Sequence, residues 1–211
     1  MKMICVVGGV AIAFALYLLM VALPSSRKHR SHHQRNAVSN LKQLHLALLN
    51  FDSDYGVFPD PSTIPDVKST TGTTLSLGSG SSNELLRQLI APENHEREKT
   101  FWARTASTPH RPNEILGADA LNKGECSFTY VAGLSMHSDS AAPVLMAPVI
   151  PGTWRFDPRP FDGKALVLRI DGSVKPEAID KNGDVVIGGM NLFDPRQPYW
   201  CGKPPDIKWP E

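Results

Sequence analysis

The feature that most constrains this chain is a run from Met3 to Leu23 that contains no charged side chain. At the helical rise its length is about 31 Å, enough to cross the hydrocarbon core of a bilayer. The run is longer than a signal-peptide core, and no small-x-small cleavage site stands cleanly before Pro24. It therefore reads as a retained membrane anchor over residues 1–24 rather than a removed leader. What remains of the 211 residues suffices for one compact domain, and 18 prolines and 16 glycines in the chain favour short strands and many turns.

Charge is distributed unevenly. The first acidic residue is Asp52, while Lys2, Arg27, Lys28, Arg30, Arg35 and Lys42 all precede it. From Asp52 onward 16 basic side chains face 21 acidic ones, a net charge of −5. A mildly acidic domain on a basic stalk cannot grip phosphates, which excludes nucleic-acid binding.

Residues 25–59 combine a basic collar with an amphipathic helix. Ala37, Leu41, Leu44, Leu48, Phe51 and Tyr55 step by four and three, forming one apolar stripe, while Asn36, Asn40, Gln43 and Asn50 fall off it. Gly56 and Pro59 stop the helix. The expected partner of the stripe is the protein's own sheet. His29, His32 and His33 have a spacing that one helical face could offer to a metal, but their basic neighbours repel a cation, so a hydrated collar at the lipid headgroups is the expectation.

Farther along, residues 60–82 are rich in Ser, Thr, Gly and Pro and read as a surface loop without its own core. Residues 83–211 form the globular domain. Ser81 and Glu84 offer a capping box for a short helix carrying Leu85, Leu86, Leu89 and Ile90, ended by Pro92. Cys126 to Val131 and Val144 to Met146 read as strands. Ala165 to Val174 holds alternating Leu166, Leu168 and Ile170 before an Asp171-Gly172 turn, and Asn182-Gly183 marks a second hairpin between Ala178-Ile179 and Val185-Ile187. The fold class is α+β: a long N-terminal helix, half transmembrane and half amphipathic, packed on a small antiparallel sheet.

The charge-free helix, Leu23-Pro24, the basic stretch, Arg35-Asn36-Ala37-Val38-Ser39-Asn40-Leu41-Lys42-Gln43-Leu44-His45-Leu46-Ala47-Leu48 and Asp54-Tyr55-Gly56-Val57-Phe58-Pro59 together resemble the pseudopilins of type II secretion systems, the major pseudopilin among them, and the related type IV pilins. Ser82 to Leu89, Phe128 to Leu134 and Ala165 to Val174 look similar too. The resemblance implies a pilin-like fold and a non-catalytic, membrane-anchored structural subunit of a secretion or pilus-like assembly. It also implies lateral contacts with other pseudopilin-like subunits, a single pass through the inner membrane and a periplasmic domain. The positive-inside rule points the other way, since Arg27, Lys28, Arg30 and Arg35 outnumber Lys2. One position departs from the family. Its processing signal is a Gly followed by a Phe-Thr-Leu-Ile-Glu-like stretch, whereas Gly9 is followed by Val10, Ala11, Ile12, Ala13 and Phe14 without an acid. The alternative is thus a membrane-tethered pilin-fold binding module that does not assemble into filaments.

Chemistry-bearing residues are few. Asp180, Asn182 and Asp184 invite a calcium reading, and some pseudopilins bind calcium in this region. An EF-hand needs Gly and an acid where Val185 and Asn191 stand, so a hairpin tip explains the residues without metal. Gly133-Leu134-Ser135-Met136-His137 resembles a nucleophile elbow, but the loop-forming Ser138, Asp139 and Pro143 follow it where a helix is required. Ser135, His137 and Asp139 alternate on one extended face, which is not triad geometry. No enzyme activity, cofactor or small-molecule substrate is expected. Cys5 lies in the apolar run; Cys126 and Cys201 could pair if the domain is outside the cytoplasm. The Pro-rich tail is expected to wrap the sheet and bury Trp200 and Trp209, with a partner-binding surface as the sharper alternative.

Overall fold

The structure, a computed structural model, describes residues 31–92, 97–114, 118 and 120–211. The Met3 to Leu23 run, Cys5, Gly9 and His29 lie outside the described residues, and among the described residues no helix is long and apolar enough to cross a membrane.

The protein is α+β. Helix α1 occupies residues 31–55. It ends where Gly56, at φ 77°, turns its N–H back to the Asp52 carbonyl at 2.7 Å, a left-handed stop that a residue without Cβ adopts freely. Ala37, Leu41, Leu44, Leu48 and Phe51 are buried and Tyr55 is half-buried against the Phe51 ring, all in one core with the strands.

The strands are β1 (Thr129–Ala132), β2 (Pro143–Ala147), β3 (Lys164–Arg169), β4 (Val174–Ala178), β5 (Val186–Ile187), β6 (Met190–Asn191) and β7 (Asp206–Lys208). Five of them form one sheet in the order β4-β3-β2-β1-β7 with every neighbour antiparallel, and β5 pairs β6 in a separate ribbon. The β3–β4 hairpin turns at Asp171-Gly172, with Leu168 opposite Val174. Pro176 sits in β4 at the sheet edge, where its missing donor costs no ladder bond. The ribbon turns at Gly188-Gly189, both at positive φ, the pair of left-handed residues that a two-residue hairpin requires.

Three features differ from the sequence expectation. Residues 60–82 are not an unstructured loop: Asp60 caps a turn of 3-10 helix (Pro61–Thr63) that runs into α2 (Ile64–Thr71), and Val67 and Leu75 enter the core. Helix α3 (Ser82–Leu86) is capped by Ser81, but the Glu84 carboxylate reaches the Gly80 N–H at 2.6 Å, so the box is half-formed. The tail wraps the molecule as expected, yet it also supplies β7, which pairs with β1 at the edge opposite β4. Strands β1 and β2 and all of β3 after Lys164 are buried, and Leu166, Leu168 and Ile170 all lie in the core. Arg169 is buried because its guanidinium donates to the Ala141 carbonyl and to Glu177, with Tyr199 of the tail against it.

Candidate functional site

Helix α1 is the element on which every functional reading of the sequence turns, and polar bonds as well as apolar contacts fix its seat. Asn40 donates its side-chain amide to the Lys99 and Trp102 carbonyls at 2.9 and 2.8 Å. One turn farther, the His45 ring lies 2.9 Å from the Ile170 carbonyl and presses on the β3–β4 turn, where a Cβ on Gly172 would come within 2.7 Å of the imidazole. Near the C-terminus of the helix, buried Asp52 accepts the Met136 N–H, and beyond it the Phe58 N–H donates to Leu134 and the Tyr130 hydroxyl to Pro59. Burial pushes the Tyr130 phenol well above its ordinary range, so it acts as a neutral donor. The stripe is thus consumed inside the protein's own core. On the outward side α1 presents Lys42, Gln43, Leu46 and Asn50, all exposed, with Leu46 62% exposed.

The hydrolase residues are each engaged locally. The Ser135 hydroxyl accepts the His137 backbone N–H, the Ser138 hydroxyl accepts that of Ser135, and Asp139 accepts that of Ala141, while the His137 and Asp139 side chains are exposed. A turn holds them where an elbow would need a strand leading into a helix.

Asp180, Asn182 and Asp184 sit at the expected hairpin tip, closed by the Ile179 and Val185 bridge. One Asp180 oxygen accepts the backbone N–H groups of Asn182 and Asp184, which holds that carboxyl below its usual range, and Asn191 donates to Asp184. Among the described residues no group of three or more metal-ligating side chains is arranged to hold an ion. His32 and His33 meet edge-on with ring centres 6.1 Å apart, and the His32 ring accepts from the Asn36 amide at 3.4 Å.

The proposed cysteine pair is not formed. Cys126 is a buried free thiol held between Ser82 and the Phe128 carbonyl, its pKa pushed up to about 11 by burial; Cys201 is exposed at the end of a 3-10 turn. Their places in the fold, one inside under α3 and one on the surface, keep them separate.

One buried acid gave no signal in the sequence. Glu98 is fully buried, one carboxyl oxygen accepts the Leu121 N–H at 2.7 Å, and the other has no hydrogen-bond partner among the described residues. Desolvation raises its pKa, and the nearby Glu125 and Glu114 carboxylates add to the effect. Glu98 looks like an ordinary solvated charge beside Arg97 and Lys99, so only the packing reveals it.

No family model, curated protein or solved structure matches the chain.

Proposed function

We propose that this protein is a membrane-anchored, non-catalytic, pseudopilin-like structural subunit of a type II secretion or type IV pilus-like assembly. The observation that carries this reading is the joint between anchor and domain. An apolar run long enough to span a bilayer leads, through a basic collar, into a helix whose stripe is buried on an antiparallel sheet. In this reading α1 is the lower half of one long pilin-like helix that continues into the inner membrane, and the domain stands on the periplasmic side. Its outward face, with Leu46 and Gln43, meets neighbouring subunits.

The second reading, a tethered pilin-fold module that does not assemble, is favoured by one observation: Gly9 is followed by Val10, Ala11, Ile12, Ala13 and Phe14, with no acid among them. Protease added to intact spheroplasts tests the placement. Digestion of the domain supports the secretion reading, and digestion only after lysis overturns it. Cross-linking through Cys5 in membranes separates subunit from module, using a Cys201→Ser background because Cys201 is exposed and would react itself. A ladder of multimers is the subunit's result; monomer alone is the module's.

A further inference from the structure

Among the described residues the exposed large apolar side chains are Leu46, Met136, Ile150, Trp154 and Val186. Three of these collect at one end of the molecule. Ile150 and Trp154, at 42% and 45% exposure, lie on a hairpin closed by the Val149 and Phe156 bridge. Val186 lies on the β5–β6 ribbon, which is tied to that hairpin by the Phe156 N–H to the Gly183 carbonyl and by the edge of Trp154 on Phe193 at 5.8 Å.

This end of the sheet is also the one at which α1 starts. The N-terminal half of α1 is held through Asn40 to Lys99 and Trp102; the Phe101 carbonyl accepts the Ser127 N–H, and Ser127 leads into β1. Antiparallel β2 leaves by the same end at Ala147, opposite Leu166 of β3, and the Ile150 hairpin follows it. Asp52, Met136 and the β3–β4 turn mark the far end. The apolar run stops at Leu23, and the short segment from Pro24 to Arg30 that joins it to α1 reaches at most about 25 Å when fully extended. The chain therefore tethers the Trp154 end, not the Met136 end, toward the bilayer.

The side chains suit a lipid surface. Trp places an apolar ring with one polar N–H at the headgroup level; the exposed cation Arg155 follows it in the chain, and exposed Lys181 lies on the 180–184 tip, whose Gly183 lies against Arg155. Of the carboxylates near it, Asp157 pairs with Arg159 and Asp194 with Arg196, Asp180 accepts backbone N–H groups, and Asp184 accepts the Asn191 amide. We propose that Ile150, Trp154 and Val186, with Arg155 and Lys181, dock the domain onto the lipid surface beside its own anchor. This inference rests on the membrane-anchored reading above.

The test is tryptophan quenching of the full chain reconstituted in phosphatidylcholine and phosphatidylglycerol vesicles with bromine-labelled acyl chains. Part of the emission should be quenched, and Trp154→Phe should remove that part; Ile150→Ser combined with Val186→Ser should reduce it while the circular dichroism spectrum is retained. Equal quenching in the Trp154→Phe variant overturns the proposal. So does shielding of Trp154 from aqueous iodide without bromine quenching, which would assign the patch to a second copy. An alkaline wash separates the two readings: a chain that stays with the vesicles but shows no quenching loses the docking proposal and keeps the anchor, whereas a chain that washes off loses both.

Discussion

The apolar stripe of helix α1 and the described part of residues 76–127 both enter the core, the first by apolar contact and the second largely through buried polar bonds. The helix presents a periodic apolar stripe, and Ala37, Leu41, Leu44 and Leu48 are excluded from water without any polar partner to satisfy. The other region is a polar shelf. Arg87, 8% exposed, donates to the carbonyls of Ala120, Ser76 and Leu121; Asn83 donates to Leu121 and Asn122; Thr108 and Ser127 share a hydrogen bond and both reach the Ala103 carbonyl. These bonds replace the ladder that irregular backbone lacks, because a buried carbonyl without a donor costs about 1–3 kcal/mol. Apolar burial is non-directional and tolerates sliding; the shelf is directional and fixes one arrangement.

Breaking the apolar half should cost most. Leu44→Ala leaves a cavity under α1 and is expected to lose about 3 kcal/mol, read as a lower denaturation midpoint for the full chain in detergent. A loss below about 1 kcal/mol would mean that α1 does not depend on this seat. On the shelf, Arg87→Met keeps the apolar stem and removes the donors to three carbonyls, for an expected loss of about 2 kcal/mol. At the contact between α1 and the β3–β4 turn, Gly172→Ala combines φ 77° with a 2.7 Å approach to His45, and about 1–2 kcal/mol should be lost. Pairing it with His45→Ala should recover the steric share and leave the backbone share, a coupling that a double-mutant cycle measures.

The remaining two predictions sharpen the contrast. Glu98 belongs to the shelf, and its pKa is raised, so the folded state holds a proton that the unfolded chain has already released. Its contribution to stability is complete below the ordinary glutamate range and is lost as pH rises through the folded value. Glu98→Gln should therefore flatten that part of the stability profile, and an unchanged slope would show that another group causes it. Leu46→Ser, on the outward side of α1, should shift stability by less than about 0.5 kcal/mol while weakening the Cys5 cross-linked ladder. Equal ladders would remove Leu46 from the proposed subunit contact.

How much of this was legible follows the same division. The α1 stripe and the Asp171-Gly172 hairpin announce themselves, since period and turn residues are local properties of the chain. Helix α2 was hidden by a Ser, Thr and Pro composition, although Asp60-Pro61-Ser62-Thr63 carries the marks of a helix start: Asp60 accepts the Ser62 N–H, and Thr63 accepts that of Asp60. For β7 there was no signal, because three residues in a Pro-rich tail become a strand only when the edge of β1 offers them partners. The shelf was equally silent, as Arg87 and Glu98 are charged residues that composition assigns to solvent.

By itself, then, the chain determines where its apolar faces lie, where helices and hairpins begin and stop, and that an anchor-length run precedes the domain. Tertiary structure decided what those faces meet, that Cys126 and Cys201 stay apart, and that Trp154 stays outside while Trp200 goes in. The reason is physical: periodicity and capping act over a few residues, whereas burial of a charge, a thiol or an edge strand depends on groups brought from far along the chain.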